Sequence, residues 1–362
     1  MSDRLSATPP ARAAWVSGLL RWYRRHRRDL PWRRTWDPYA VWVSEIMLQQ
    51  TRVETVIPYY RRFLRRFPTV RALAAAEEQA VLKAWEGLGY YRRARHLHAA
   101  ASEVVLRLGG RVPTCAIDLL TLPGIGAYTA AAIASICGGE AAPVLDGNVA
   151  RVMARFLCLR ANIAAAPTRS AILAFLAAHI PPRRPGDFNQ AMMELGAVVC
   201  KPGTPDCGVC PLRSACKGMA HGIAAELPVR TRQRATPRLT VAAGLFIRRN
   251  RVLLVQREAG QLLGGLWEVP GGKRGRRERL ADTVRRTMLR DAGRAVRVRR
   301  KLCVVSHAYS HFSITLHAFL CDGAGKQNVP GRQRCAWVAL DDLSRHPCGR
   351  ATLRVLEAAR TA

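Results

Sequence analysis

Between Ala13 and Gly218 the apolar residues of the chain recur mostly at helical spacing. The segment from Val41 to Phe67 shows this clearly, because its apolar residues lie three or four positions apart over successive turns. Short glycine or proline breaks separate further predicted helices at about 70–84, 91–108, 114–121, 127–137, 147–159, 168–179 and 187–200. This half of the chain is predicted to be all-α.

The pattern changes after an arginine-rich stretch that has no apolar periodicity. Four short runs beyond it alternate in polarity and are bounded by turns, at 239–247, 251–256, 295–307 and 313–320. Helical segments are predicted among them at about 278–292 and 350–360, so this half is expected to be α+β. We therefore expect a helical domain at 1–221, a linker at 222–238 and a second domain at 239–362.

Charge adds a candidate partner to this picture. The 362 residues include 58 Lys and Arg against 25 Asp and Glu, a net charge of +33, which points to a polyanion such as nucleic acid. Because only six of the basic residues are lysine, the excess can also reflect arginine-biased composition. The start of the chain lacks the apolar core of a signal peptide, and the most apolar stretch, 127–137, is far shorter than the ~20 residues of a membrane span. We expect a soluble intracellular protein.

Four of the eleven cysteines lie close together, at Cys200, Cys207, Cys210 and Cys216. An intracellular location argues against a disulfide framework. Four thiolates from one short segment suit either a tetrahedral zinc site or a cubane iron–sulfur cluster. Only Cys207 and Cys210 form the closely spaced pair that is typical of zinc sites, so spacing alone leaves both alternatives open.

Residues 121–129, TLPGIGAYT, have the pattern of a helix–hairpin–helix loop. The glycines Gly124 and Gly126 permit close backbone approach, and the N–H groups at the start of the following helix can hold a DNA phosphate. A plain turn between two helices would show a similar sequence.

Two carboxylates stand in apolar surroundings. Glu45 lies on a predicted helix, and Asp146 lies in a glycine-bounded turn twenty residues after Gly126. A carboxyl group among apolar neighbours tends to have a raised pKa and can act as a general acid near neutral pH. Either residue alone could be a helix cap or an ion-pair partner. Their combination with the hairpin and the cysteines favours a catalytic role.

Together these motifs resemble the iron–sulfur branch of the helix–hairpin–helix DNA glycosylases, and within it the MutY-type adenine DNA glycosylases. The matching segments are LPWR at 30–33, SEIMLQQT at 44–51, GLGYY at 87–91, LDGNV at 145–149 and NQAMMELG at 189–196. The resemblance favours a [4Fe–4S] cluster on the four cysteines. It implies an enzyme of base excision repair that removes adenine opposite 8-oxoguanine or guanine in double-stranded DNA, acts as a monomer, and resides in the cytoplasm with the bacterial nucleoid.

The resemblance also implies roles for individual residues. Glu45 would protonate adenine at N7 and could later activate the water. Asp146 would stabilise or covalently trap the sugar cation with the help of Tyr128 and Asn148. The residues that insert into the duplex would be Gln50 and Tyr90. The residues of the adenine pocket would be Arg28, Leu30, Trp32, Arg33 and Glu194.

The nearest alternative is the endonuclease III type, which carries a lysine two residues after the second glycine of the hairpin. This chain has Tyr128 at that position, and it has Ala150 where many MutY-type sequences carry a lysine. With no amine at either place, we predict a monofunctional glycosylase without strand-cleaving lyase activity. A thymine or uracil glycosylase of the same branch is a weaker alternative, because it would be expected to lack the second domain.

The second domain resembles a Nudix domain that has lost its metal site. Gly272 and Glu278 keep the first spacing of the Nudix box, but Thr287, Arg290 and Asp291 stand where metal-binding glutamates belong. We therefore predict a Nudix fold without hydrolysis, which disfavours a nucleotide pyrophosphohydrolase.

In MutY-type enzymes such a domain helps to recognise 8-oxoguanine. The contacting triplet implied by the resemblance is Tyr309, Ser310 and His311, with tyrosine in place of the usual phenylalanine. A basic nucleic-acid binder without catalysis is the alternative from another functional class, and Glu45 and Asp146 in their family contexts argue against it.

Overall fold

The computed structural model describes residues 9–229, 236–328 and 331–361. The chain divides into two compact units, one formed by residues 1–74 and 99–233, the other by residues 75–98 and 234–362. Part of the predicted linker, residues 230–235, lies outside the described residues. Among the described residues, no helix combines the length and the apolar character that crossing a membrane requires.

The first part of the chain is helical, as predicted. Its helices in chain order are α1 (Pro9–His26), α2 (Pro38–Leu48), α3 (Val53–Arg66), α4 (Val70–Ala74), α5 (Glu78–Ala84), α6 (Arg92–Leu108), α7 (Ala116–Leu119), α8 (Ala127–Cys137), α9 (Gly147–Phe156), α10 (Ala166–His179), α11 (Pro185–Val198) and α12 (Lys217–Ala220). Short 3₁₀ turns occur at Pro31–Arg33, Cys207–Val209 and Arg213–Ala215.

Two stretches with continuous apolar spacing contain a break. The segment 41–67 forms α2 and α3 with a turn between them, where Gln50 adopts a left-handed backbone with φ of 57°. The segment 70–84 forms α4 and α5, and Glu77 before α5 is extended. Apolar periodicity does not detect such turns, because the helices on both sides of each turn still bury their apolar residues.

One buried core of the first unit lies between α1, α9 and α11. It includes Leu19, Met153 and Phe188, none of which is exposed to solvent. Helix α11 approaches the start of α9 very closely at Gly196, where an added Cβ would lie 2.7 Å from Cβ of Asn148. A glycine is therefore needed at this point for α11 to pack beside the start of α9.

The second unit contains a mixed sheet. Its strands are β1 (Arg238–Arg248), β2 (Arg251–Gln256), β3 (Trp267–Glu268), β4 (Gly271–Lys273), β5 (Arg294–Ala308), β6 (Ser313–Asn328) and β7 (Arg334–Ala339). Strand β1 pairs in parallel with β6 and antiparallel with β2 and β4, while β5 pairs antiparallel with β6, and β3 and β7 pair antiparallel with β2. Helices α13 (Leu280–Ala292) and α14 (Arg350–Arg360) follow β4 and β7.

The two helices cover opposite faces of this sheet. Leu254 shares a buried cluster with Val355 of α14, whereas Leu253 and Val255 share another with Val284 of α13. Because successive strand residues point to opposite faces, this alternation places one helix on each face. The α+β prediction for this half is confirmed. Strands β3, β4 and β7 were not predicted, since the first two have only two or three residues and lack a readable alternation.

Residues 75–98 also belong to the second unit. Gln79 donates from Nε2 to the carbonyl of Gly265 at 3.0 Å and accepts from Nε1 of Trp267 at 3.1 Å. The hydroxyl of Tyr91 donates to the carbonyl of Cys348 at 3.2 Å. These contacts join residues that are far apart in the chain, so local sequence pattern gave no sign of them.

Candidate active site

A cavity of about 530 Å³ opens in the first unit. It is lined by residues of the segment 27–36 and of α2, α8, α9 and α11. Ten residues that were predicted from sequence line it together: Arg28, Leu30, Trp32, Arg33, Glu45, Gln50, Tyr128, Asp146, Asn148 and Glu194. The folded chain thus brings the implied acid, the implied carboxylate and the implied purine pocket into one space.

Glu45 is the buried carboxyl group of this cavity. It lies on α2, which buries nine of its eleven residues, and its side chain is 5% exposed. Burial raises its pKa to about 7, although the hydrogen bond from Tyr128 acts in the opposite direction. Asp146 raises this pKa further by charge repulsion. A group with such a pKa can donate a proton near neutral pH.

Asp146 caps the start of α9. Its Oδ1 accepts from the backbone N–H of Val149 at 2.7 Å, and its Oδ2 accepts from Nδ2 of Asn148 at 2.9 Å. Burial raises the pKa of Asp146, and these hydrogen bonds partly offset that rise. Donors on both oxygens stabilise the charged form. Asp146 is therefore suited to act as the anion of the pair, and Glu45 as the acid.

Tyr128 connects the hairpin to the buried acid. It is the second residue of α8, and its hydroxyl donates to Oε2 of Glu45 at 2.8 Å and lies 3.1 Å from Sδ of Met193. Burial, with a further contribution from the negative charge of Glu45, raises the pKa of Tyr128 well above its usual value. The phenol is thus a neutral hydrogen-bond donor.

Glu194 anchors one wall of the cavity. It is 1% exposed and accepts from Nε and Nη2 of Arg28 at 2.8 and 2.9 Å, and from Nη2 of Arg33 at 2.8 Å. Burial alone would raise the pKa of Glu194, but the bonds from the two guanidinium groups lower it to about 2. Glu194 is therefore a fixed anion that orients Arg28 and Arg33, and it is not a proton donor.

The apolar part of the wall is rigid. Leu30 and Trp32 are buried, and the Trp32 ring packs edge-on against Tyr60 with ring centroids 5.4 Å apart. Tight packing of this kind fixes the shape of the cavity.

The hairpin glycines occupy different backbone conformations. Gly124 has φ of 76°, a left-handed conformation that favours glycine. Gly126 is the extended N-cap of α8, and a Cβ added there would meet nothing within 4 Å. The space beside Gly126 is therefore open to an approaching molecule.

The four clustered cysteines line one small pocket together with Arg155. Nη1 of Arg155 donates to Sγ of Cys200 at 3.4 Å and to the carbonyl of Lys201 at 2.7 Å. Burial raises the pKa of Cys210 to about 11. Four sulfur donors around one pocket fit a thiolate-bound metal group. Across the described residues, no three His, Cys, Asp or Glu side chains are already grouped as ligands of an ion.

Two buried arginines on α9 were not identified from the sequence. Nε of Arg151 donates to the carbonyl of Cys200 at 2.8 Å, and its Nη2 donates to Oδ1 of Asn148 at 2.9 Å. Arg155 follows one turn later and is 2% exposed. Two arginines four residues apart, among apolar neighbours on a predicted helix, were the available signal.

Asn189 was also missed as a supporting residue. Its Oδ1 accepts from the backbone N–H of Val144 at 3.1 Å, and its Nδ2 donates to Oγ of Ser135 at 2.8 Å. The first bond ties the segment that leads to Asp146 to α11, and the second ties α11 to α8.

The remaining predicted residues lie in the second unit. The hydroxyl of Tyr90 is 2.8 Å from Oγ of Ser310, and Tyr90 itself has a left-handed backbone with φ of 50°. The ring of Tyr309 packs against Phe312, with centroids 4.8 Å apart, in the turn between β5 and β6 that also contains His311. The structure therefore places Tyr90 beside the implied 8-oxoguanine triplet.

The Nudix-box carboxylates that remain are bound by arginines. Nε and Nη2 of Arg286 donate to the two carboxylate oxygens of Glu278, each at 2.8 Å. Arg290 binds Asp291 in the same two-bonded manner, with distances of 2.6 and 2.7 Å. The carboxylate oxygens of these two residues are therefore already bound by guanidinium groups.

Two domain families match the chain. Residues 43–177 match the HhH-GPD superfamily of base excision DNA repair proteins, and residues 242–358 match the NUDIX domain. The chain is 37% identical to the adenine DNA glycosylase of Homo sapiens over 84% of this chain and 66% of that protein, so it spans slightly less than two thirds of the human length. It is 36% identical to the adenine DNA glycosylase of Mus musculus over 90% of this chain and 74% of that protein.

A solved structure of a thermostable thymine-DNA glycosylase is also similar. It aligns with a TM-score of 0.55 and 29% identity, covering 60% of this chain and all of that chain. That relative has no counterpart for the other 40% of the chain.

Proposed function

The chain belongs to the adenine DNA glycosylase family, and on that premise we propose that it removes adenine from double-stranded DNA by hydrolysing the N-glycosidic bond, as a step of base excision repair. The observation that carries this proposal is the placement of Glu45 and Asp146 in one cavity with different hydrogen-bonding environments. Carboxyl pairs with separated roles are the basis of glycoside hydrolysis.

Glu45 supplies the proton in this mechanism. Adenine is a poor leaving group until a ring nitrogen is protonated, and a carboxyl group with a pKa near 7 holds a proton for a large fraction of the time at neutral pH. Tyr128 holds the carboxyl group in place through its hydrogen bond.

Asp146 acts on the sugar. As the bond to adenine breaks, positive charge develops on the deoxyribose, and a carboxylate close to that charge stabilises it. The N–H of Val149 and the amide of Asn148 fix the orientation of Asp146 and favour its charged form. The water that completes hydrolysis can be activated by Glu45 once that group has lost its proton.

We propose that adenine opposite 8-oxoguanine or guanine is the preferred target. The second unit supports this, because it matches a NUDIX domain, its box carboxylates Glu278 and Asp291 are bound by arginines, and Tyr90 lies beside Ser310. A thymine glycosylase is disfavoured. The similar thymine-DNA glycosylase structure aligns over its full length with 60% of this chain, so it has no counterpart of the remaining 40%.

We propose that the enzyme is monofunctional and acts as a monomer. No lysine lines the cavity among the described residues, and Tyr128 and Ala150 stand where a Schiff-base lysine would be expected. The phenol of Tyr128 is hydrogen-bonded to Glu45 and cannot form an imine.

We propose that Cys200, Cys207, Cys210 and Cys216 hold a [4Fe–4S] cluster, with zinc as the alternative metal. When bound, the cluster would crosslink the segment 200–216 through four sulfur–iron bonds. The proton transfer and the stabilisation of the sugar are assigned to Glu45 and Asp146, which line a different cavity from the four cysteines. Iron and acid-labile sulfide analysis of purified protein would distinguish the two metals.

The function is tested by incubating the protein with a duplex that contains adenine opposite 8-oxoguanine. We expect release of free adenine and a strand that breaks only after alkali treatment. Strand breakage without alkali would overturn the monofunctional proposal. Release of thymine from a thymine–guanine duplex, with no release of adenine, would favour the thymine-specific alternative.

A further inference from the structure

Trp36 is an exposed tryptophan at the catalytic cavity. Its side chain is 65% exposed, although it lines the same cavity as Glu45 and Asp146. Among the residues that the structure describes, its indole has no aromatic stacking partner. Most tryptophans in this unit are buried, including Trp15, Trp32 and Trp42. A large flat ring that is exposed beside a binding cavity is available to pack against a ligand in that cavity.

The turn that carries Trp36 is held on both sides. Asp37 caps α2 by accepting from the N–H of Tyr39 at 3.1 Å, and the N–H of Asp37 donates to Oγ1 of Thr35 at 3.1 Å. On the other side, Nε of Arg34 donates to Oδ1 of Asp29 at 2.7 Å. The indole is therefore presented by a fixed turn, and its exposure does not result from a loose loop.

The surroundings of Trp36 favour an anionic partner. Arg27 lines the cavity with it, whereas Arg28 is already bound to Glu194. The two acidic residues of the same segment, Asp29 and Asp37, are occupied by Arg34 and by the α2 cap. Cations beside an aromatic ring form the usual combination for binding a nucleotide, because they contact phosphate while the ring stacks on the base.

We propose that Trp36 packs against the extruded adenine nucleotide and covers its solvent-facing side. This proposal rests on the proposed function and adds a binding residue to it. Enzymes that act on an unstacked base commonly hold it between flat side chains. Trp32 is already packed against Tyr60 in the wall, whereas the ring of Trp36 is free to stack.

The test compares binding of two duplexes by Trp36→Ala. One duplex carries a non-hydrolysable 2′-fluoro analogue of deoxyadenosine opposite 8-oxoguanine, and the other carries tetrahydrofuran, which has no base. We expect Trp36→Ala to bind the adenine duplex about tenfold more weakly and the tetrahydrofuran duplex as the wild type does. Trp36→Phe keeps a flat ring and should retain most of the affinity for the adenine duplex.

Leu106→Ala is the matched control, since Leu106 is an apolar side chain that is 80% exposed and does not line the cavity. It should leave both affinities unchanged. Trp36→Gln gives a second variant, and equal thermal midpoints show that each variant is folded. Unchanged binding of the adenine duplex by Trp36→Ala and Trp36→Gln would overturn the proposal, as would an equal loss on both duplexes. If the wild type itself releases no adenine, the proposed function has failed independently of Trp36.

Discussion

Tyr128→Phe is the most informative single change, because it removes the hydroxyl that donates a hydrogen bond to Glu45 and lowers the pKa of that acid. The hydroxyl donates to Oε2 of Glu45 at 2.8 Å and thereby favours the carboxylate form. Loss of this bond leaves burial and the charge of Asp146, which raise the pKa of Glu45, opposed by the charge of Arg33, which is the smallest of the effects. The pKa of Glu45 should therefore rise above its value of about 7 in the wild type.

The size of the shift follows from the hydrogen bond. A hydrogen bond to a charged group contributes about 1.5–3 kcal/mol, and a change of one pKa unit corresponds to about 1.4 kcal/mol. The pKa of Glu45 should thus increase by roughly one to two units. Because the acid must be protonated to act, excision decreases as pH rises through this pKa. The alkaline limb of the pH profile should move to higher pH by the same amount.

The assay is single-turnover excision of adenine opposite 8-oxoguanine, measured between about pH 5.5 and 9.5. This range includes the alkaline limbs predicted for the wild type and for Tyr128→Phe. The matched control is Tyr39→Phe, which removes a different buried tyrosine hydroxyl. Tyr39 lies on α2, and its hydroxyl donates to the carbonyl of Phe67 at 2.8 Å. This control should lose stability but keep the wild-type alkaline limb. An unchanged limb in Tyr128→Phe, or a shift to lower pH, would refute Glu45 as the acid that Tyr128 tunes.

Three further predictions concern the cavity and the hairpin. Glu45→Gln and Asp146→Asn should each lower single-turnover excision by about 10²-fold or more while leaving duplex affinity near the wild-type value; near-normal excision by either variant would contradict its role. Glu194→Gln should destabilise the protein by about 3 kcal/mol at pH 7. In denaturant titrations that difference should shrink as pH falls from 4.5 towards 2, because the pKa of Glu194 is lowered to about 2 in the folded state. Gly124→Ala should lower the free energy of unfolding by about 1–2 kcal/mol, because the φ of Gly124 is 76°. Gly126→Ala should lower it less and should mainly weaken duplex binding. Equal losses of stability in the two variants would contradict the difference in backbone conformation.

The sequence was most informative where function depends on short motifs. The apolar surroundings of Glu45 in the chain predicted a raised pKa, and the folded structure accounts for it by burial on α2. The division into a helical half and an α+β half could also be predicted, because apolar periodicity indicates which face of a helix or strand is buried.

Long-range contacts could not be read from local pattern. Glu194 meets Arg28 across 166 positions, and only the folded chain shows that it is a fixed anion with a lowered pKa. The hydrogen bond from Arg151 to the carbonyl of Cys200 could not be predicted either, because local sequence does not distinguish a buried arginine from the many exposed ones in an arginine-rich chain.

The net charge of +33 carried less information than its size suggests. Two arginines of the second unit, Arg286 and Arg290, are bound to carboxylates of the Nudix-like box, and two arginines on α9 are buried in the first unit. Charge that is already paired or buried cannot contact phosphate, so the exposed arginines alone should set the dependence of DNA affinity on salt.

Excision of mispaired adenine can be measured by single-turnover kinetics of the wild-type protein on three duplexes that differ only in the base opposite adenine. We predict rapid release of adenine opposite 8-oxoguanine, slower release opposite guanine and none above background opposite thymine. Equal rates on all three duplexes would contradict recognition of the mispair, and no release from any of them would contradict the assignment of Glu45 and Asp146 as a catalytic pair.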